Sequence, residues 1–117
     1  MMTRPVRVQV TLRGEAGYRA GDEARAAVEE AIASAHCPVR WANVVLHVQD
    51  ATSRSAAEVE AVLDVGDSLV HAASSAPTVS EAIDAVEHEL CARLIRHRSR
   101  IQTARRVPRR HGSSYRR

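Results

Sequence analysis

The sequence has no Phe and no Lys, one Trp and two Tyr, so aromatic residues reach only 3% of its 117 positions. A core without Phe must be assembled from Ala, Val, Leu and Ile. So few rings also argue against a sheet that stacks successive bases of a single strand. No stretch approaches the roughly 20 consecutive apolar residues that a membrane-crossing helix needs. Met1 to Val6 carries no apolar run ahead of a small-residue cleavage site, so a cytoplasmic location without a membrane partner is expected. Only two cysteines occur, Cys37 and Cys91; their spacing fits no metal or redox motif, and buried reduced thiols are expected. The length suits one core and is too short for two.

The third scarcity is of acid at one end. Residues 1–91 hold seven Arg against all fourteen acids, a balance of −7, whereas residues 92–117 hold ten Arg and no acid, a balance of +10. Such segregation marks a surface for a polyanion. The residue classes that would indicate chemistry are missing. His88-Glu89-Leu90-Cys91-Ala92 begins like a zinc-protease helix, but Ala92 stands where the second imidazole must be. No nucleophile elbow, phosphate loop or dinucleotide fingerprint is present. The carboxylate pairs Asp22-Glu23, Glu29-Glu30 and Glu58 with Glu60 read as solvated faces. The expectation is a non-enzyme with no cofactor and no metal.

Arg4 to Arg13 alternates, with Val6, Val8, Val10 and Leu12 against Arg7, Gln9, Thr11 and Arg13, as a half-buried strand does. A helix capped at Gly21-Asp22 should follow to Ala35, with Ala24, Ala27, Val28, Ala31, Ile32 and Ala35 as its apolar stripe, ending before Pro38. Arg40 to Gln49 alternates again. Asp50 to Ser55 reads as a loop, and runs over 57–65 and 68–73 flank the turn pair Gly66-Asp67. Thr78 and Glu81 form a capping box for the strongest helix, with Val79, Ile83, Val86, Leu90, Leu94 and Ile101 on one side. It should fray near Gln102, leaving a flexible segment to Arg117.

The fold class is therefore α+β, β-α-β-β-β-α, a four-stranded sheet with both helices on one face and a disordered basic tail. Residues 1–101 form the single domain and 102–117 the Arg-rich tail. Arg7, Gln9, Thr11, His47, Gln49, Glu58 and Glu60 should lie on the open face. Trp41, at a strand start, is left open between core and contact, core packing being the commoner place for a lone Trp.

On the last helix Arg93, Arg96, His97 and Arg100 fall on one face at three- and four-residue spacing and can track phosphates. Arg98, Arg105, Arg106, Arg109 and Arg110 extend the cationic set, with Arg116 and Arg117 beyond. Cations also stabilise a helix C-terminus, but two or three suffice for that. With no helix-turn-helix pair and no zinc module, RNA is favoured and DNA specificity is not expected.

Val59-Glu60-Ala61-Val62-Leu63, Gly66-Asp67-Ser68-Leu69-Val70-His71-Ala72, Ala82-Ile83-Asp84, Leu90, Leu94 and Arg96-His97-Arg98-Ser99-Arg100-Ile101 carry a family likeness. In order and without gaps they resemble the ribosome hibernation promoting factor and ribosome-associated inhibitor A family, also called sigma-54 modulation proteins. The resemblance implies a βαβββα fold like that of double-stranded RNA-binding domains. It implies binding to rRNA of the small ribosomal subunit between head and body, blocking mRNA and tRNA with no bond made or broken. The implied contacts are Arg96, His97, Arg98 and Arg100. Glu89, Ala92 and Ser80 depart from the family pattern. Two alternatives stand beside this: other RNA bound through the Arg-rich C-terminus, or a basic protein docked on the acidic face and first helix. A homodimer through an exposed first strand stays open.

Overall fold

The computed structural model describes residues 6–49 and 56–114, with side chains as far as Ile101. Its elements are β1 (Val8–Gly14), α1 (Tyr18–Ala35), β2 (Trp41–Val48), β3 (Ala57–Asp64), β4 (Leu69–Ala76) and α2 (Val79–Ser114), in the expected order. The sheet order is β1-β2-β3-β4. β1 runs parallel to β2, which needs a crossover, and α1 supplies it. The β2–β3 and β3–β4 pairs are antiparallel. Arg4, Pro5 and the expected loop at 50–55 lie outside the described residues.

Alternation puts one side of each strand against the helices. Val8, Ala42, Val44, Leu46, Ala57, Val59, Ala61, Leu63, Val70 and Ala72 are buried there, facing Ala24, Val28, Ala31 and Ala35 of α1 and Ala82, Ile83, Val86, Leu90 and Leu94 of α2. No polar side chain is buried among the described residues. The small residues of α1 let the helices approach the sheet and each other, so aliphatic side chains with the buried Cys37 fill the core. Of the open-face set, Arg7, Gln9, Gln49, Glu58 and Glu60 are exposed and Thr11 and His47 half-buried.

Three expectations need correction. The first concerns α1, which begins at Tyr18 after Gly17, so Gly21 is a buried residue inside the helix and not its cap. A Cβ there would meet Leu12 Cδ2 at 3.0 Å, so α1 lies tight against β1 at Gly21. β4 continues to Ala76, past Ala73, because β3 offers partners throughout, Glu58 opposite Ser75 and Ala57 opposite Ala76. Trp41 is 43% exposed on the open face and not in the core. It starts β2 opposite Asp64, one residue out of phase with buried Ala42.

The third correction is at the C-terminus. α2 does not end near Gln102 but runs to Ser114, so 103–114 is helical and not without structure. Extending a helix that packing has already nucleated avoids the nucleation cost, and Ala and Arg favour it, although Pro108 and Gly112 within the segment both oppose helix. At 36 residues α2 is about 54 Å long, roughly twice the span of an eight-residue strand. The Thr78 cap forms as expected: Glu81 N–H donates to Thr78 Oγ1 at 3.2 Å.

Candidate nucleic-acid interface

The orientation of α2 follows from its apolar positions. Leu90 and Leu94 are fully buried, and this turns Arg93, Arg96 and Arg100 toward the side where β4 begins. There they line, with His97 and with Ser68, Leu69, Val70 and His71, a groove of about 350 Å³. The face read from helical spacing is thus brought together. The β4 wall opposite it was not foreseen: Gly66-Asp67 signals a hairpin but not which helical turn will pass it.

The cations in the groove are not equivalent. Arg93 is held by Glu89, its Nε donating to Oε2 at 3.0 Å and Nη2 lying 2.9 Å from the same oxygen. Glu89 therefore neutralises one guanidinium. Arg96 and Arg100 are exposed and have no acidic partner among the described residues. They are the free charges of the site. The His97 side chain is only 13% exposed, with Nε2 3.4 Å from Oδ1 of Asp67 in the β3–β4 turn. His97 thereby ties α2 to the hairpin.

Arg98 is placed apart from this groove. Its Nη1 donates to the Ala35 carbonyl at 3.0 Å, across the C-terminus of α1, where His36 closes the helix in the left-handed region at φ 52°. A helix end leaves carbonyls without intrahelical partners, and a guanidinium fits both their geometry and the negative end of the dipole. Arg98 also borders a second cavity with Cys37, Pro38, Val65, Asp67, His97 and Ile101. Burial pushes the Cys37 thiol above its ordinary value, against the opposing pull of Arg98 and with a small push from Asp67. The side chains of Arg105, Arg106, Arg109 and Arg110 lie outside the described residues; their backbone continues α2.

Toward its N-terminus α2 presents the opposite charge. Glu87 has its carboxyl raised, first by burial and then by Glu30 of α1 and by Asp84, with His88 acting the other way. Ser80 donates to Glu23 of α1 at 3.1 Å. One helix thus carries an acidic half against α1 and a cationic half against β4. Among the described residues, no group of three or more His, Cys, Asp or Glu side chains could hold a metal ion, and no helix is long and apolar enough to cross a membrane.

A family model described as "Sigma 54 modulation protein / S30EA ribosomal protein" matches residues 8–102, every element from β1 to the end of the groove. The chain belongs to this family. Ribosome hibernation, translation regulation and RNA binding are therefore its field. No curated protein matches the chain. Among solved structures, a ribosomal subunit interface protein from Coxiella burnetii is similar with TM-score 0.56 at 14% identity, over 80% of this chain and 99% of that one. The N-terminal domain of Thermus thermophilus Protein Y is similar with TM-score 0.49 at 21% identity, over 74% and 94%. The Coxiella likeness extends to the arrangement of the sheet and both helices.

Proposed function

We propose that this member of the family binds rRNA of the small ribosomal subunit in the decoding region and excludes mRNA and tRNA by occupying their space. The observation that carries the reading is the groove with two unanswered guanidiniums, Arg96 and Arg100, on a rigid helix beside a strand edge. Guanidinium forks suit phosphate oxygens, and a fixed helix spaces them along a backbone. No bond is made or broken, and neither cofactor nor metal is required. The protein acts in the cytoplasm, where ribosomes are. Residues 1–101 serve as the binding domain and 102–117 as its Arg-rich extension.

Each phosphate contact contributes about one unit to the slope of log affinity against log salt. Co-sedimentation with small subunits through sucrose gradients at low and moderate salt tests the reading. The wild-type protein should stay with the subunit at moderate salt, and Arg96→Glu with Arg100→Glu should remain at the top of the gradient. Unchanged co-migration of that double variant would remove the groove from the interface.

A second reading draws on the length of α2, whose Arg-bearing turns continue past the sheet. In it, the extension binds other RNA and the groove is incidental. Deleting residues 102–117 separates the two: the extension reading loses all binding, and the groove reading keeps much of it.

A further inference from the structure

The β4 strand closes the sheet on the side of the basic groove, and the state of its outer edge is set by the hairpin. Val65 N–H donates to the Ser68 carbonyl at 3.1 Å around Gly66-Asp67. In an antiparallel ladder hydrogen-bonded and non-bonded pairs alternate. Counting from that closing pair, Val70, Ala72, Ser74 and Ala76 direct their backbone groups at β3, and Leu69, His71, Ala73 and Ser75 direct theirs away from it. All four of the latter are exposed, Leu69 to 60%. Among the described residues no group bonds to their outward N–H and C=O. The other edge is different: on β1, the Val8 carbonyl accepts from Arg25 Nε at 3.4 Å, and exposed Arg7 lies just before the strand and exposed Arg13 within it. β4 has no Pro, no charged side chain apart from what His71 can carry, and an unbroken register with β3 over all its residues. An edge of that kind is a template for another strand.

We infer that the outer edge of β4 receives an extended acidic peptide from a partner protein by strand addition, with carboxylates at alternate positions lying against Arg96 and Arg100. The backbone ladder would supply affinity, and alternate side chains would supply selectivity. A strand laid on β4 points every second side chain toward the helix layer. Near Leu69 and His71 that side is the groove wall carrying Arg96 and Arg100, which is where charge complementarity selects acid. The β4 strand of a second copy meets this requirement in neither orientation. Antiparallel pairing of two β4 strands sets the Leu69 end against Ser75, Ala76 and Pro77, which offer no carboxylate, and parallel pairing sets two Arg clusters side by side. RNA uses the same guanidiniums, so peptide and RNA would exclude each other, yet the peptide can be assayed with no RNA present.

The probe is a fluorescent peptide of alternating Asp and Val, as long as β4, followed by anisotropy at low salt with the full chain. Binding is expected for this peptide and not for its counterpart with Lys in place of Asp. N-methylation at the positions whose N–H groups face β4 should weaken it by about fivefold or more for each bond lost. Ala73→Pro removes one outward N–H without touching a bond to β3, since edge strands tolerate Pro. It should weaken the peptide by about fivefold while leaving the melting temperature and subunit co-sedimentation unchanged. Absence of binding, equal binding of the N-methylated peptide, or a peptide-free dimer in sedimentation that occupies the edge would each overturn the inference.

Discussion

Two arginines that are neighbours on one helix have different work, and single substitutions should separate them. Arg98 answers the Ala35 carbonyl, so Arg98→Ala leaves a helix end unsatisfied. A loss of about 1–2 kcal/mol in urea unfolding is expected, with little change in the salt slope of RNA binding. Arg96 holds nothing in the fold, and Arg96→Ala should do the reverse. If both substitutions moved stability alone, the groove assignment would fail. Glu87 gives a second test with a defined sign. Its folded carboxyl titrates above the ordinary value of 4.5, because burial and the neighbouring Glu30 and Asp84 disfavour its charge. The resulting advantage of the folded state is therefore present below that ordinary value and is lost as pH rises through the raised one. Glu87→Gln should raise the melting temperature at neutral pH, and the gain should vanish toward pH values below 4.5. A gain independent of pH would assign the effect to something other than this ionisation.

At the level of elements, packing overrode local preference in particular places. Strands β1 and β2 were legible because Val8 and Val10 alternate with Arg7, Gln9 and Thr11, and Val44, Leu46 and Val48 share one face, and α2 was legible from Thr78 to Leu94. Gly21 was misread since glycine costs helix stability and so suggests a boundary; only the nearness of Leu12 explains it inside α1. The end of β4 was misread because Ala and Ser carry almost no contrast between faces. The place of Trp41 was not legible: a large apolar side chain favours burial, and only the register of β2 shows which face it takes. Gly21→Val tests the packing argument. With Leu12 Cδ2 at 3.0 Å from a Cβ, overpacking should cost about 1–3 kcal/mol. Denaturant unfolding at fixed pH reads this, and a neutral result would mean that α1 can shift away from β1. In the groove, the spacing of Arg93, Arg96, His97 and Arg100 was visible, but Ser68, Leu69 and His71 come from more than 20 positions earlier in the chain, and only the tertiary course of α2 makes them its wall.

For the whole molecule, charge is segregated along α2, with Glu89 and Arg93 paired where its acidic and cationic halves join. The acids of α2 lie at Glu81, Asp84, Glu87 and Glu89 and its arginines from Arg93 onward, so beyond the Glu89–Arg93 pair the helix holds Arg96 and Arg100 away from its acidic half. Affinity for a polyanion should therefore fall steeply with salt. The slope for the chain cut after Ile101 should be smaller by about one for every phosphate that the extension touches. An identical slope for cut and full chains would leave the extension no role in binding. The parallel pairing of β1 with β2 bears on the order in which the molecule assembles. Asp64 and Leu69 pair across five positions, whereas Val8 and Ala42 pair across 34 with a whole helix between them. Short closures form early and long ones late. The hairpin that walls the cationic groove should be protected first and β1 last, so native-state hydrogen exchange should find β1 opening while β3 and β4 stay closed. A partly opened molecule would then still present the groove: the edge built last is the one furthest from the surface that binds.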